Sequence, residues 1–148
     1  MSIKPFKISI EDHILSDIKK KLEAAVINDV PKEDGWEKGT NIEYMKELLE
    51  YWKTDYNWRK NESELNKFDH FLTSIDETQI HFIHLKGKNE NSLPLILTHG
   101  WPDSFYRFHK IVELLTDPGE GLQSYDVVIP SLPGFGFTQS FDIATAAD

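Results

Sequence analysis

The chain has 148 residues with a net charge of −9, from 25 Asp and Glu against 16 Lys and Arg. Its length predicts one ordinary domain with a buried core, and its acidity argues against nucleic-acid or anionic-membrane partners, which need clustered positive charge. The absence of cysteine excludes disulfides and thiol chemistry, and the lack of a long apolar run or signal-peptide core predicts a cytoplasmic protein without a membrane segment.

The N-terminal part of the chain has the periodicity of helices. After an extended Pro5–Ile8, Ser9 is the expected N-cap of an amphipathic helix over residues 10–27. Asn28–Gly39 is polar and interrupted by glycine and proline, which is typical of a loop, and Trp36 is expected to anchor it to a neighbouring core.

Two further helices are expected before residue 70. Thr40–Glu43 has the capping-box pattern and opens a helix whose apolar residues share one face, which we expect to be buried. A short third helix is predicted from about Trp58 to Phe68, with Asp55 or Asn57 as its cap. No catalytic cluster is evident in this part of the sequence.

At Phe71 the pattern changes to that of strands. Two alternating runs, Phe71–Ile75 and Thr78–Leu85, flank a two-residue link and predict a hairpin. The link ends on Glu77, which lacks the freedom of glycine, so the turn is expected to be longer or strained. His81 and His84 fall on opposite faces of a strand and cannot chelate one ion together, so no metal site is expected.

The most informative stretch is the apolar run Leu93–Thr98 followed by His99-Gly100-Trp101-Pro102. It predicts a buried parallel strand that delivers a loop to the carboxyl edge of a sheet, where open α/β folds place their chemistry. Gly100 permits a backbone conformation that a Cβ would forbid, and Pro102 fixes the next φ, so the Trp101 N–H is held ready for an oxyanion. An ordinary strand-to-helix turn explains these four residues equally well.

The remaining residues predict one more helix and one more strand. Ser104 or Asp103 is expected to cap a helix with apolar residues from Phe105 to Leu115, and Tyr125–Pro130 is a second buried strand. A loop with two glycines, Ser131–Phe137, follows that strand. Gly119-Glu120-Gly121 with Ser124 is a near match to a dinucleotide pattern, but no strand precedes it, so no cofactor is expected.

In chain order, the hairpin, strand, His-Gly-Trp-Pro, helix, strand and Pro-Gly-Phe-Gly-Phe resemble the first third of an α/β-hydrolase domain. The resemblance is nearest to the microsomal and juvenile-hormone type epoxide hydrolases, which carry an N-terminal helical segment whose recurring words look like Tyr51-Trp52, Asn57-Trp58-Arg59 and Leu65–Phe68 here. The resemblance implies an α/β fold, with a helical segment at residues 1–70 and a partial α/β-hydrolase domain at residues 71–148.

The family resemblance also implies a mechanism. An aspartate on a strand-to-helix elbow attacks the epoxide carbon, lid tyrosines hold the epoxide oxygen, and a histidine paired with an acid activates water to hydrolyse the ester. Two backbone amides hold the oxyanion. By the motif match, one of them is the Trp101 N–H, in a loop shaped by His99, Gly100 and Pro102.

The chain departs from this pattern after Pro130. It contains no Gly-x-Asp-x-Gly elbow, and the nucleophile, acid, base and lid are missing, so we expect the isolated chain to be a truncated, inactive part of an epoxide hydrolase. A fragment of a dehalogenase or esterase, or a non-catalytic paralogue acting as an interaction module, remain alternatives. Without the neighbouring strand of the family sheet, Leu93–Thr98 would be an apolar edge, through which we expect self-association.

Overall fold

The computed structural model describes residues 2–27, 35–37 and 39–140. Most of the predicted loop Asn28–Gly39 and the tail after Ser140 therefore lie outside the described residues. Contacts divide the chain into two compact units, one formed by Met1–Ile8 with Glu64–Asp148 and the other by Ser9–Ser63. The domain boundary at residue 70 stays a prediction.

Three helices precede the main strands, as the sequence predicts. They are α1 (Asp12–Glu23), α2 (Ile42–Thr54) and α3 (Trp58–Leu65). The expected start of α1 was wrong: its N-cap is Glu11 rather than Ser9, because the Ile10 N–H donates to the Glu62 carboxylate (2.7 Å) and holds the preceding chain extended.

The caps of α2 and α3 come from asparagine side chains. The Tyr44 N–H donates to Asn41 Oδ1 (3.0 Å), so Asn41 caps α2 and the expected Thr40 does not. The Lys60 N–H donates to Asn57 Oδ1 (3.0 Å), which confirms Asn57 for α3. Both asparagines offer an oxygen to an amide that has no intrahelical partner.

The expectation that α1 and α2 each bury one face was wrong for the described residues. The two helices contact each other, yet neither contains a buried residue. Large apolar side chains on both remain substantially exposed: Ile14, Ile18, Met45, Leu48 and Trp52. The ring centres of Trp36 and Tyr44 lie 5.2 Å apart, but Trp36 is 58% exposed, so it is not anchored in a core.

Glu62 is the one buried carboxylate among the described residues. It accepts hydrogen bonds from the Ile10 N–H (2.7 Å), from Trp58 Nε1 (3.2 Å) and from Arg59 Nη1 (2.6 Å), and Arg59 is also paired with Asp12. The Ile10 N–H and the two side-chain donors hold the pKa of Glu62 below its usual value against the opposing effect of burial.

We expect Glu62→Gln to lower the free energy of unfolding at pH 7. The difference in this free energy between the unchanged chain and the variant should narrow as the pH falls below about 4.5. The carboxylate is stabilised in the folded state, so its contribution is complete above the unfolded pKa and is lost as acid protonates it. Urea unfolding followed by tryptophan fluorescence measures this. Glu64→Gln is the control, because Glu64 is exposed and its carboxylate pairs with the exposed Lys67; a difference independent of pH would contradict the prediction.

The unit formed by Met1–Ile8 and Glu64–Asp148 contains a mixed five-stranded sheet. Its strands are β1 (Lys4–Phe6), β2 (His70–Ile75), β3 (Thr78–Leu85), β4 (Leu93–Ile96) and β5 (Tyr125–Pro130), in the order β1-β2-β3-β5-β4. Neighbours are antiparallel except for the parallel pair β4–β5. The hairpin and β5 are confirmed, whereas the pairing of β1 with β2 was not foreseen.

The hairpin turn contains only the two residues of the link. Asp76 and Glu77 both have positive φ, 45° and 66°, a left-handed conformation that is unfavourable for a side chain with a Cβ. Of the two expectations for this turn, the strained form is therefore confirmed and the longer form is wrong.

The helix expected after Ser104 is broken into two short pieces. A 3-10 helix (Phe105–Phe108) is capped by the Ser104 hydroxyl, and α4 (Val112–Thr116) follows it. Phe105 and Val112 are buried and both pieces contact β5. The core of this unit lies between these two helical pieces and the sheet face that they contact, where Ile83, Val127 and Ile129 are also buried.

Asn66 ties the N-terminal segment to this unit with a pair of hydrogen bonds. Its Oδ1 accepts from the Ile8 N–H (2.9 Å) and its Nδ2 donates to the Ile8 carbonyl (2.8 Å), while the Ile8 side chain is buried. We expect Asn66→Ala to lower the free energy of unfolding by about 1–3 kcal/mol, because two backbone groups lose their partner. Chemical denaturation measures it, and Asn61→Ala, which loses only one solvent-accessible hydrogen bond within its own helix, to the Asn57 carbonyl (2.8 Å), should change less; equal losses would contradict the prediction.

None of the helices in the described part of the chain is both long and apolar enough to cross a bilayer. The cytoplasmic location stays a prediction.

Candidate functional site

The two loops that the sequence singles out meet at one edge of the sheet. His99–Pro102 follows β4 and Ser131–Phe137 follows β5, and these strands are parallel neighbours, so both loops leave the same carboxyl edge. The Leu132 N–H donates to His99 Nε2 (3.1 Å), and the rings of His99 and Phe135 lie edge to face at 5.2 Å.

His99 is buried and both of its ring nitrogens are used. Because a backbone N–H can only donate, Nε2 is the acceptor, and Nδ1 carries the proton and donates to the Gly100 carbonyl (3.1 Å). The imidazole is therefore neutral and has no free lone pair. It holds the loop in place and is not arranged to act as a general base.

Trp101 differs from His99 both in its exposure and in the pairing of its polar group. Its side chain is 84% exposed, and its backbone N–H donates no hydrogen bond to any residue of the described ranges. The Trp101–Pro102 peptide bond is cis. An unpaired amide between a buried histidine and a proline can donate to an anionic oxygen.

The role expected for Gly100 was wrong. Gly100 has no positive φ, and a Cβ at this position would meet no atom within 4 Å. The loop conformation at Gly100 is therefore compatible with an L side chain. The loop is held by the hydrogen bonds of His99 and by Pro102. Within the second loop, Gly136 does have a steric requirement: its φ is +54°, and a Cβ there would lie only 2.7 Å from Ser131 Oγ.

Asp103, just after the first loop, and Asp126, at the start of β5, are both engaged in structural contacts. Asp103 accepts from the Ser104 N–H (2.8 Å) and pairs with Arg107; the Ser104 bond first and the guanidinium second lower its pKa. Asp126 accepts from the Gly87 N–H (2.7 Å). Neither is arranged as a nucleophile.

Residues 2–27, 35–37 and 39–140 contain no cluster of three or more His, Cys, Asp or Glu side chains that could hold a metal ion. A cleft of about 550 Å³ lies within the helical unit and is lined by residues between Leu15 and Arg59. It includes none of the predicted site residues.

Sequence reasoning missed a buried polar chain behind the second loop. His70 Nδ1 lies 2.9 Å from His81 Nε2, and His81 Nδ1 lies 2.8 Å from Ser131 Oγ. The signal was available in the predicted hairpin, because a two-residue turn pairs Leu72 with His81 and so places His70 and His81 on one face. His81 and His84 do lie on opposite faces of β3, but the relevant partner of His81 is His70.

Comparison with known families identifies one match over most of the chain. A family model described as "Epoxide hydrolase N terminus" matches residues 3–108. Juvenile hormone epoxide hydrolase 1 of Ctenocephalides felis is 42% identical over 95% of this chain, and epoxide hydrolase 1 of Sus scrofa is 37% identical over 94%. The chain spans about a third of the length of these relatives, 31% and 32%.

A solved structure supports the fold. The crystal structure of juvenile hormone epoxide hydrolase from Bombyx mori superposes with a TM-score of 0.86 at 31% identity, over 93% of this chain and 38% of that one. The expected fold class, helices followed by the first strands of an α/β-hydrolase sheet, is confirmed.

Proposed function

The chain belongs to the epoxide hydrolases, and on that premise we propose that the loop His99–Pro102 contributes one oxyanion donor, the Trp101 backbone N–H, to an epoxide hydrolase active site. The observation that carries this proposal is the unpaired Trp101 N–H at the carboxyl edge of the sheet. The His99 contact with Leu132 keeps the amide in place before reaction, which is what makes such a donor effective.

The proposed donor acts on charge that other residues generate. His99 has no free nitrogen, and Asp103 is held by Arg107. Neither group can open an epoxide or activate water from this position. His99 and Asp103 do not supply the nucleophile, acid or base that the family mechanism requires, so we expect the 148-residue chain to be inactive alone.

A chimera tests the proposal. Residues 1–140 of this chain replace the matching segment of the Ctenocephalides felis relative, and diol formation from styrene oxide is followed for the chimera, for the relative and for the isolated chain. We expect turnover by the chimera and the relative and none by the isolated chain. A folded chimera without turnover would reject the donor role, and turnover by the isolated chain would reject its dependence on other residues.

We further propose that the chain self-associates through β4. This strand lies at the sheet edge, with Leu93 52% and Ile96 67% exposed. The backbone N–H groups of Leu93 and Leu97 donate to the β5 side. Because successive residues of a strand alternate, the backbone groups of Pro94 and Ile96 point to the free edge. Pro94 has no N–H, which leaves the edge one donor short and weakens pairing.

We expect Pro94→Thr to strengthen self-association about thirtyfold in Kd, since each of the two copies adds one hydrogen bond that contributes about 1 kcal/mol. Ile96→Lys should weaken association by placing charge on the edge. Sedimentation velocity over micromolar concentrations measures both. A monodisperse monomer for the unchanged chain and for Pro94→Thr would contradict the proposal.

A further inference from the structure

A pair of hydrogen-bonded histidines is enclosed behind the loop that follows β5. His70 and His81 are 3% and 0% exposed, and their rings lie 5.2 Å apart at 23°. Three aromatic rings surround His81 at ring-centre distances of 5.2–5.3 Å: Phe6, Phe105 and Phe137. These apolar rings cannot solvate a charged imidazole as water does, so burial here favours the neutral form.

The partners of the pair determine where its protons lie. The Leu65 carbonyl, 2.8 Å from His70 Nε2, can only accept, so His70 donates from Nε2 and accepts at Nδ1. His81 therefore donates from Nε2 to His70, and its Nδ1 accepts from the Ser131 hydroxyl. In this arrangement both imidazoles are neutral and every ring nitrogen has a partner.

An added proton disturbs this arrangement at Ser131. A protonated His81 would donate from Nδ1 and force the Ser131 hydroxyl to reverse. Burial first and the neighbouring His70 second lower the pKa of His81 to about 4, and burial lowers that of His70. Asp69 is the one carboxylate that opposes these effects, and it does so at His70; the other described contacts are the aromatic rings, Ser131 and the Leu65 carbonyl.

The histidine pair is connected to the candidate site through two consecutive residues. Ser131 donates its N–H to the His81 carbonyl (2.9 Å) and its hydroxyl to the His81 ring, and the next residue, Leu132, donates to His99 Nε2. The Thr138 hydroxyl closes the connection by accepting from the His81 N–H (2.9 Å) and donating to the Ser131 carbonyl (2.8 Å).

We propose that His81 is a positioning residue for the His99–Pro102 loop, acting through Ser131 and Leu132, and that His70 sets the His81 tautomer. The significance of this positioning by His81 for catalysis rests on the proposed oxyanion role of Trp101. Protonation of the pair reverses the Ser131 hydroxyl, and we expect this change to reach the Trp101 amide through Leu132 and its hydrogen bond to His99. The unfolded chain protonates histidine near pH 6.5, so folding stability also declines as the pH falls from about 6.5 toward about 4.

Nuclear magnetic resonance of the ¹⁵N-labelled 148-residue chain tests this directly. We expect His70 and His81 as Nε2–H tautomers and His99 as the Nδ1–H tautomer at pH 7. During acid titration, the Leu132 and Trp101 amide signals should move with the His81 midpoint near pH 4, while the hairpin amides Thr73–Ile80 stay folded.

Variants separate positioning from bulk packing. Ser131→Ala should move the Leu132 and Trp101 amide signals at pH 7 and abolish their coupling to the His81 titration. His70→Phe should move them too, whereas His70→Gln should restore them, because an amide can donate to Leu65 and accept from His81.

Several results would overturn the proposal. They are a His81 midpoint near 6.5, an Nδ1–H tautomer at His81, Leu132 and Trp101 amides that do not respond to its titration, or hairpin amides lost at the same midpoint. An inactive chimera with coupled amide signals would instead reject the oxyanion role of Trp101 and leave the positioning role supported.

Discussion

Replacing the Trp101 amide by an ester, through incorporation of the α-hydroxy acid of tryptophan, should lower kcat of the chimera by about 10²–10³-fold. The ester removes one hydrogen-bond donor and keeps the indole ring. If the N–H stabilises negative charge in the transition state, its loss corresponds to about 2.7–4 kcal/mol. Steady-state diol formation from styrene oxide measures the effect, and thermal unfolding verifies that the chimera is intact.

Trp101→Phe is the matched control, because it alters the exposed ring and retains the backbone N–H. We expect its kcat to stay within about tenfold of the unchanged chimera, well short of the loss expected for one oxyanion donor. An ester variant with unchanged kcat would exclude the Trp101 N–H as a donor. A larger loss for Trp101→Phe than for the ester would assign the role to the ring instead.

Gly136→Ala should lower the free energy of unfolding by about 2–4 kcal/mol, the sum of about 1–2 kcal/mol for the left-handed backbone and a similar steric contribution. Gly136 has φ +54°, and a Cβ would lie 2.7 Å from Ser131 Oγ and 3.3 Å from the Phe105 ring. Both neighbours are buried and cannot withdraw freely. Urea unfolding monitored by circular dichroism measures the loss.

Gly100→Ala provides the comparison within the same pair of loops. Gly100 has no positive φ and no atom would crowd its Cβ, so we expect unchanged stability or a gain of up to about 1 kcal/mol from a less flexible unfolded chain. If Gly100→Ala destabilises the chain as much as Gly136→Ala, the geometry of the His99–Pro102 loop differs from that described above.

Much of the fold follows from local patterns. The two-residue link specifies the hairpin register, because strand alternation carries the pairing of Ile75 with Thr78 along both strands. The strand Tyr125–Pro130 was predicted with its observed bounds. The meeting of His99–Pro102 with Ser131–Phe137, in contrast, depends on the parallel pairing of β4 with β5, which the sequence did not predict.

Other features depend on which surfaces meet. The apolar spacing from Phe105 to Leu115 predicts a continuous helix, yet the chain forms a 3-10 helix and a short α-helix that bury Phe105 and Val112 separately against the sheet unit. Similarly, the apolar stripes of α1 and α2 predict buried faces that the described residues leave largely exposed. Periodicity identifies an apolar face but not what covers it.

The sequence alone thus indicated the family resemblance, the hairpin, the strand Tyr125–Pro130 and the loop that contains Trp101, because these depend on neighbouring residues and on specific motifs. The fold in three dimensions established that His70, His81 and Ser131 form one chain of hydrogen bonds, that His99 binds Leu132, and that β1 pairs with β2. These contacts join residues far apart in the chain, such as His81 and Ser131, 50 positions apart. Local propensity carries no information about such partners, and burial determines their protonation and strength.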